Sequence, residues 1–116
     1  MMTSTRIGSL VLIIFLLTVT AFAQTAGLPR LRKGESYGTV RAKMIKAGWK
    51  PFRAKDADAC QSGDARCKNR PEMQSCAGTG QANCRFLWKR RGKTVVVFTI
   101  GENAVYDGHE FQGFVS

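Results

Sequence analysis

The chain has 116 residues, with 18 Lys plus Arg against 8 Asp plus Glu and a formal charge of +10, enough for one ordinary domain and no more. Apolar residues make up 44% and charged residues 22%, a globular composition that excludes a fully disordered chain. With 4 Cys and 1 His, most metal centres and imidazole-based active sites are excluded at the outset.

Residues 1–23 read as a signal peptide. Arg6 is the lone charge of a short leading region, Leu10-Val11-Leu12-Ile13-Ile14-Phe15-Leu16-Leu17 is the apolar run, and Ala21-Phe22-Ala23 is the small-x-small pattern a signal peptidase needs. A retained membrane anchor is the competing reading, since a span needs about 20 apolar residues. Against it, Gly8, Ser9, Thr18, Thr20 and Gln24 interrupt the stretch and no basic cluster follows it immediately. Cleavage after Ala23 leaves a mature, periplasmic or secreted chain of 93 residues and charge +9, with no stable transmembrane span. No Cys stands at the cleavage site, so a lipidated N-terminus is not expected.

Residues 24–33 are a Pro- and Arg-containing lead-in, expected to be loosely held. A single domain over 34–116 follows. Ser36 is a suitable helix N-cap, and Tyr37, Val40, Met44 and Ala47 make one apolar stripe at helical spacing. Lys43 and Lys46 suit a helix C-terminus, Gly48 a left-handed terminal residue, and Pro51 forbids continuation. Gly38 weakens the first turn by about 1 kcal/mol relative to Ala. Trp49 to Ala54 reads as a short edge strand, since Pro51 has no amide hydrogen to give a central one.

Residues 55–83 lose both apolar periods and read as a long Cys-rich loop, with one helical turn around Pro71-Glu72-Met73-Gln74. Loops this long are uncommon unless functional or pinned. No C-x-x-C occurs among Cys60, Cys67, Cys76 and Cys84, so neither a zinc knuckle nor a redox motif is supported and no metal or cofactor is expected. An even count in an exported chain reads as two disulfides, and four cysteines allow three connectivities. Cys60–Cys67 with Cys76–Cys84 is favoured because each bridge closes a short local loop.

Period-two alternation then takes over. Cys84, Phe86 and Trp88 alternate with Arg85, Leu87 and Lys89, Arg90-Arg91-Gly92 makes a turn, and Thr94-Val95-Val96-Val97-Phe98-Thr99-Ile100 reads as a strand covered on both faces. Ala104 to Gln112 is a third, weaker strand interrupted by Gly108. The fold class is α+β: one N-terminal helix packed on a three- to four-stranded antiparallel meander with a disulfide-stapled loop.

Catalytic groups are scarce. His109 has no Cys or Ser beside it in sequence and reads as a surface strand residue. Asp56 and Asp58 lie in the polar loop, and Gly78-Thr79-Gly80 lacks the Lys and the strand-to-helix context of a phosphate loop. The basic surface is more informative. All 17 basic residues of the mature chain fall within 30–93, whereas the last 23 residues carry none and hold Glu102, Asp107 and Glu110. Lys89-Arg90-Arg91-Gly92-Lys93 concentrates four charges on one hairpin tip, beside Trp88, and these five side chains (Trp88, Lys89, Arg90, Arg91 and Lys93) form the candidate binding set. Export argues against nucleic acid and leaves an anionic envelope component or an acidic protein surface as partner.

Lys33-Gly34-Glu35-Ser36-Tyr37, then Val40, Met44 and Gly48-Trp49, resembles the opening of small exported bacterial α+β domains typified by β-lactamase inhibitor protein and the small outer-membrane assembly lipoproteins. In those families a step of this kind opens a helix that ends in Gly and feeds an antiparallel sheet. The chain departs from them in having a Cys-rich loop where a second helix usually stands, and in lacking a lipobox Cys. The resemblance implies a non-enzymatic binding module. The expected function is therefore an exported binding or inhibitory domain for an anionic partner. The rival classes are a structural, envelope-associated protein without a specific partner and a small hydrolase or immunity-like factor.

Overall fold

The structure is a computed structural model and describes residues 27–113; the signal-peptide reading of 1–23 lies outside them. Ser36 starts the helix: its hydroxyl accepts from the Thr39 amide at 3.2 Å, satisfying one of the donors that a first turn leaves open. Helix α1 then runs Tyr37–Lys46 with Tyr37, Val40 and Met44 buried. It ends in a Schellman motif. Gly48 takes φ +91°, its N–H donates to Ile45 O, and the Trp49 N–H donates to Met44 O, both at 3.0 Å.

The strands are β1 (Lys50–Pro51), β2 (Met73–Cys76), β3 (Cys84–Arg90), β4 (Lys93–Ile100) and β5 (Val105–Phe111). They form one antiparallel sheet in the order β1-β3-β4-β5, with β2 also paired to β3. β1 and β2 share one edge of β3: Lys50 faces Lys89 and Pro51 faces Trp88, while Met73 faces Phe86 and Cys76 faces Cys84. The sheet thus has five strands, more than the three or four expected. The addition is β2, which replaces the helical turn expected around Pro71-Glu72-Met73-Gln74. Its partners lie on β3 rather than one turn away, and the register shifts between Met73 and Ser75, which blurs any period-two signal.

Alternation along β3 and β4 assigns the two faces. Phe86, Trp88, Val95 and Val97 meet Tyr37, Val40 and Met44 of α1, together with Trp49, Met73 and Tyr106, in one core. On the other face Leu87 and Val96 are cross-strand partners and are buried too. Near its start β5 carries a bulge, with Phe98 opposite Gly108 and Thr99 opposite Tyr106. Gly108 sits there at φ +136°, a conformation that a side chain would strain.

The disulfides are Cys60–Cys67 and Cys76–Cys84. The first pins the segment between β1 and β2, and the second ties β2 to β3 where those strands begin to pair. The lead-in expected to be loose is held at several points. Leu28 and Leu31 pack on the core, Trp49 Nε1 donates to Gly27 O at 3.1 Å, and Lys43 Nζ donates to Arg30 O at 3.1 Å.

Candidate functional site

The β3–β4 connection has two residues. Arg90 and Lys93 are the last cross-strand partners, so Arg91 and Gly92 alone turn the chain, at φ +49° and +77°. Positive φ at both positions is the signature of a type I′ turn, whose twist matches the strands it joins and which favours Asn-Gly or Asp-Gly. Gly92 fits this rule. Arg91 breaks it, because a long side chain sits where Asn or Asp would be less strained.

The turn carries its cations on a fixed frame. Lys89 is exposed, with Nζ 3.8 Å from the centre of the Phe52 ring, a cation–π contact that fixes the ammonium beside β1. Lys50 is exposed directly across from Lys89. Arg90 is half-buried and lies over two glycines: a Cβ on Gly27 would collide with its guanidinium, and one on Gly48 would sit 3.3 Å from Nε. Gly48, Lys50, Lys89, Arg90 and Arg91 line an open groove of about 440 Å³ between the end of α1, β1 and the hairpin. Lys93, also exposed, adds a further charge at the turn.

Trp88, included in the candidate set from sequence, does not belong to it. Its side chain is wholly buried on the α1 side of the sheet, and Nε1 donates to Tyr37 Oη at 3.0 Å. The alternation that puts Trp88 with Phe86 inside turns Lys89 outward. Lys50 was missed, since its place beside Lys89 depends on a pairing between strands far apart in sequence.

Among the described residues the ion pairs are Arg41–Glu72, Lys43–Glu35 and Arg66–Asp64. None involves Lys50, Lys89, Arg90, Arg91 or Lys93. The acids of these three pairs are committed elsewhere. Hydrogen bonding from Lys43, then from the Arg32 amide, holds the Glu35 carboxyl below its ordinary range. The Arg66 guanidinium does the same to Asp64 while also donating to Ala77 O at 2.8 Å, which cross-braces the stapled loop. Like charges directly opposite on adjacent strands are destabilising. Lys50 and Lys89 are such a pair.

A second polar group is internal. Glu72 has no exposed surface, and its carboxylate accepts from Tyr37 Oη at 2.8 Å and from Arg41 Nε at 2.7 Å. Burial, reinforced by the charge of Glu72, pushes the Tyr37 hydroxyl well above its ordinary pKa. This chain of contacts ties α1 to the start of β2 and, through Trp88, to β3. Sequence reading missed it, because an acid between Pro71 and Met73 in a polar stretch carries no mark of burial.

His109 is exposed, and its Nδ1 lies 2.6 Å from Tyr106 Oη. Asp56 accepts from Gln74 Nε2 at 3.3 Å. Among the described residues no group of three His, Cys, Asp or Glu is placed to hold a metal ion. Compared with known proteins, the chain matches no family model, no curated protein and no solved structure.

Proposed function

We propose that the protein is an exported, basic, non-enzymatic binding or inhibitory module that holds an anionic envelope component or an acidic protein surface at the cationic end of its β3–β4 hairpin. The observation that carries this reading is the gathering of Lys50, Lys89, Arg90, Arg91 and Lys93 at one end of the sheet, outside every ion pair of the described residues. The turn itself supports it. Arg91 occupies a position where local stability favours Asn or Asp, and such local exceptions concentrate at functional positions. Two disulfides support export.

Retention by an envelope extract at low and high salt tests the reading. A specific interface keeps part of its affinity at high salt through short Arg contacts, whereas adsorption to a polymer collapses. Absence of retention at low salt contradicts the proposal.

A further inference from the structure

We propose that the free edge of β5 is an interface, pairing antiparallel with β5 of a second copy of this chain about a two-fold axis at His109. β5 is an outer strand of the sheet, bonded to β4 along one side. The lead-in covers its other side only at the start. There Ser36 bridges Val105, the Tyr106 N–H donates to Glu35 O at 2.8 Å, and Tyr106 O accepts from the Gly34 N–H at 2.9 Å. Further along, the Gln112 N–H donates to Thr94 O at 2.9 Å, and amides alternate in direction along an antiparallel strand. Glu110 therefore directs its N–H and C=O at Val96 of β4, while those of His109 and Phe111 point outward. Among the described residues no hydrogen bond reaches these outward groups. Residues 109–113 are all exposed, and Phe111, at 39%, is one of two large apolar side chains exposed among the described residues.

Natural edge strands are guarded by Lys, Pro, bulges, short length or a covering segment. The opposite edge of this sheet is guarded in that way. β1 has two residues, Lys50 and Pro51, and the carbonyls of β2 are taken, Gln74 O by the Asp58 N–H at 2.9 Å and Met73 O by Arg53 at 3.4 Å. β5 has seven residues without Lys, Arg or Pro, and its bulge lies at the lead-in end. One open edge per chain favours β5 against β5, a closed two-fold contact, over head-to-tail growth. The charges agree. In a chain of formal charge +10, β5 holds Asp107 and Glu110 and no Lys or Arg. Pairing about His109 sets Glu110 beside Gly108 of the second copy and Phe111 beside its Asp107, so no carboxylate faces another. It also carries the two Arg91-Gly92 turns to opposite ends of the joined sheet. Phe111 comes diagonal to His109 of the second copy, within reach of a ring contact like the edge-on one with its own His109, where ring centres lie 5.9 Å apart. The pairing does not depend on what the basic turn binds.

Sedimentation velocity of the intact disulfide-bonded protein, from roughly 10 μM to 1 mM, should show a reversible monomer–dimer equilibrium. Amide hydrogen exchange read by NMR over the same range locates the contact. The His109 and Phe111 amides should gain protection with concentration, while those of Glu110 and Gln112, already directed at β4, should not change. His109→Lys sets two ammoniums face to face at the axis, and His109→Pro removes an N–H that β4 does not use. Both should sediment as monomers at every concentration with a urea midpoint near that of the parent, whereas His109→Thr should still dimerise. A monomer throughout, growth beyond two copies, a dimer whose His109 and Phe111 amides exchange independently of concentration, or a dimer that survives His109→Lys would overturn the proposal. Protection of those two amides that appears only on adding envelope extract would assign the edge to a strand of another protein and overturn the self-pairing.

Discussion

Tyr37 opens α1 and Glu72 precedes β2, yet the Tyr37 hydroxyl donates to the Glu72 carboxylate at 2.8 Å in the interior. Arg41, one turn along the same helix, donates to that carboxylate through Nε at 2.7 Å and through its terminal nitrogen at 3.2 Å. Glu72 is fully buried whereas 27% of the Arg41 side chain remains exposed, so truncating the acid lets the cation turn to water but strands the tyrosine. Glu72→Ala should therefore cost about 3 kcal/mol, near the lower end for breaking a buried pair. Glu72→Gln, which still accepts from Tyr37, should cost less. Urea unfolding measures both, and a loss below about 1 kcal/mol for the alanine variant would deny the network its structural role.

The same burial sets the alkaline limit of stability. Desolvation, then Glu72, raises the Tyr37 hydroxyl pKa well above its ordinary value, and desolvation with the Glu35 charge raises that of Tyr106. Unfolded tyrosines lose their protons near about pH 10 while the folded ones keep them. The folded state then binds more protons, so this stabilisation is complete below about pH 10 and declines as pH rises. Tyrosinate absorbance should appear with loss of the folded circular dichroism signal, and Tyr37→Phe should flatten the alkaline decline. Both tyrosines ionising near pH 10 in the folded protein would contradict this account.

The bridges close loops of similar length, with sequence separations of 7 and 8, and each should contribute about 2.5 kcal/mol by chain entropy. Their local effects should differ. Cys76 and Cys84 lie on strands already paired, whereas Cys60 and Cys67 hold a segment without strand hydrogen bonding. Replacing Cys60 and Cys67 by Ala should open trypsin cleavage after Arg66 and Lys68 while β2 to β5 survive. Replacing Cys76 and Cys84 by Ala should leave those sites protected. Identical cleavage patterns for the two variants would contradict the assignment.

Local features of the fold were legible in the sequence and long-range ones were not. Ser36 and Gly48 bound α1 because capping needs only neighbouring residues, and the Arg90-Arg91-Gly92 turn was visible from the alternation on either side. β2 escaped because Met73 and Cys76 take their partners from β3 across a register shift. Trp88 was placed in the site because it neighbours the basic tip, although its alternation with Lys89 already put the two on opposite faces. Lys50 enters the site only through the β1–β3 pairing, and Glu72 enters the core only through Tyr37 and Arg41. None of these contacts leaves a period in the chain.

On the proposed reading, Arg91 serves binding at some expense to its turn. Arg91→Asn tests it most directly, because Asn is favoured at φ near +49° in a type I′ turn. The measurement is affinity for the envelope partner across salt concentration, taken beside the urea midpoint of the same protein. The account predicts stability unchanged or raised by about 0.5 kcal/mol, with weaker affinity and a shallower salt dependence. Unchanged affinity at unchanged or higher stability would contradict it and leave the hairpin tip a solvated turn.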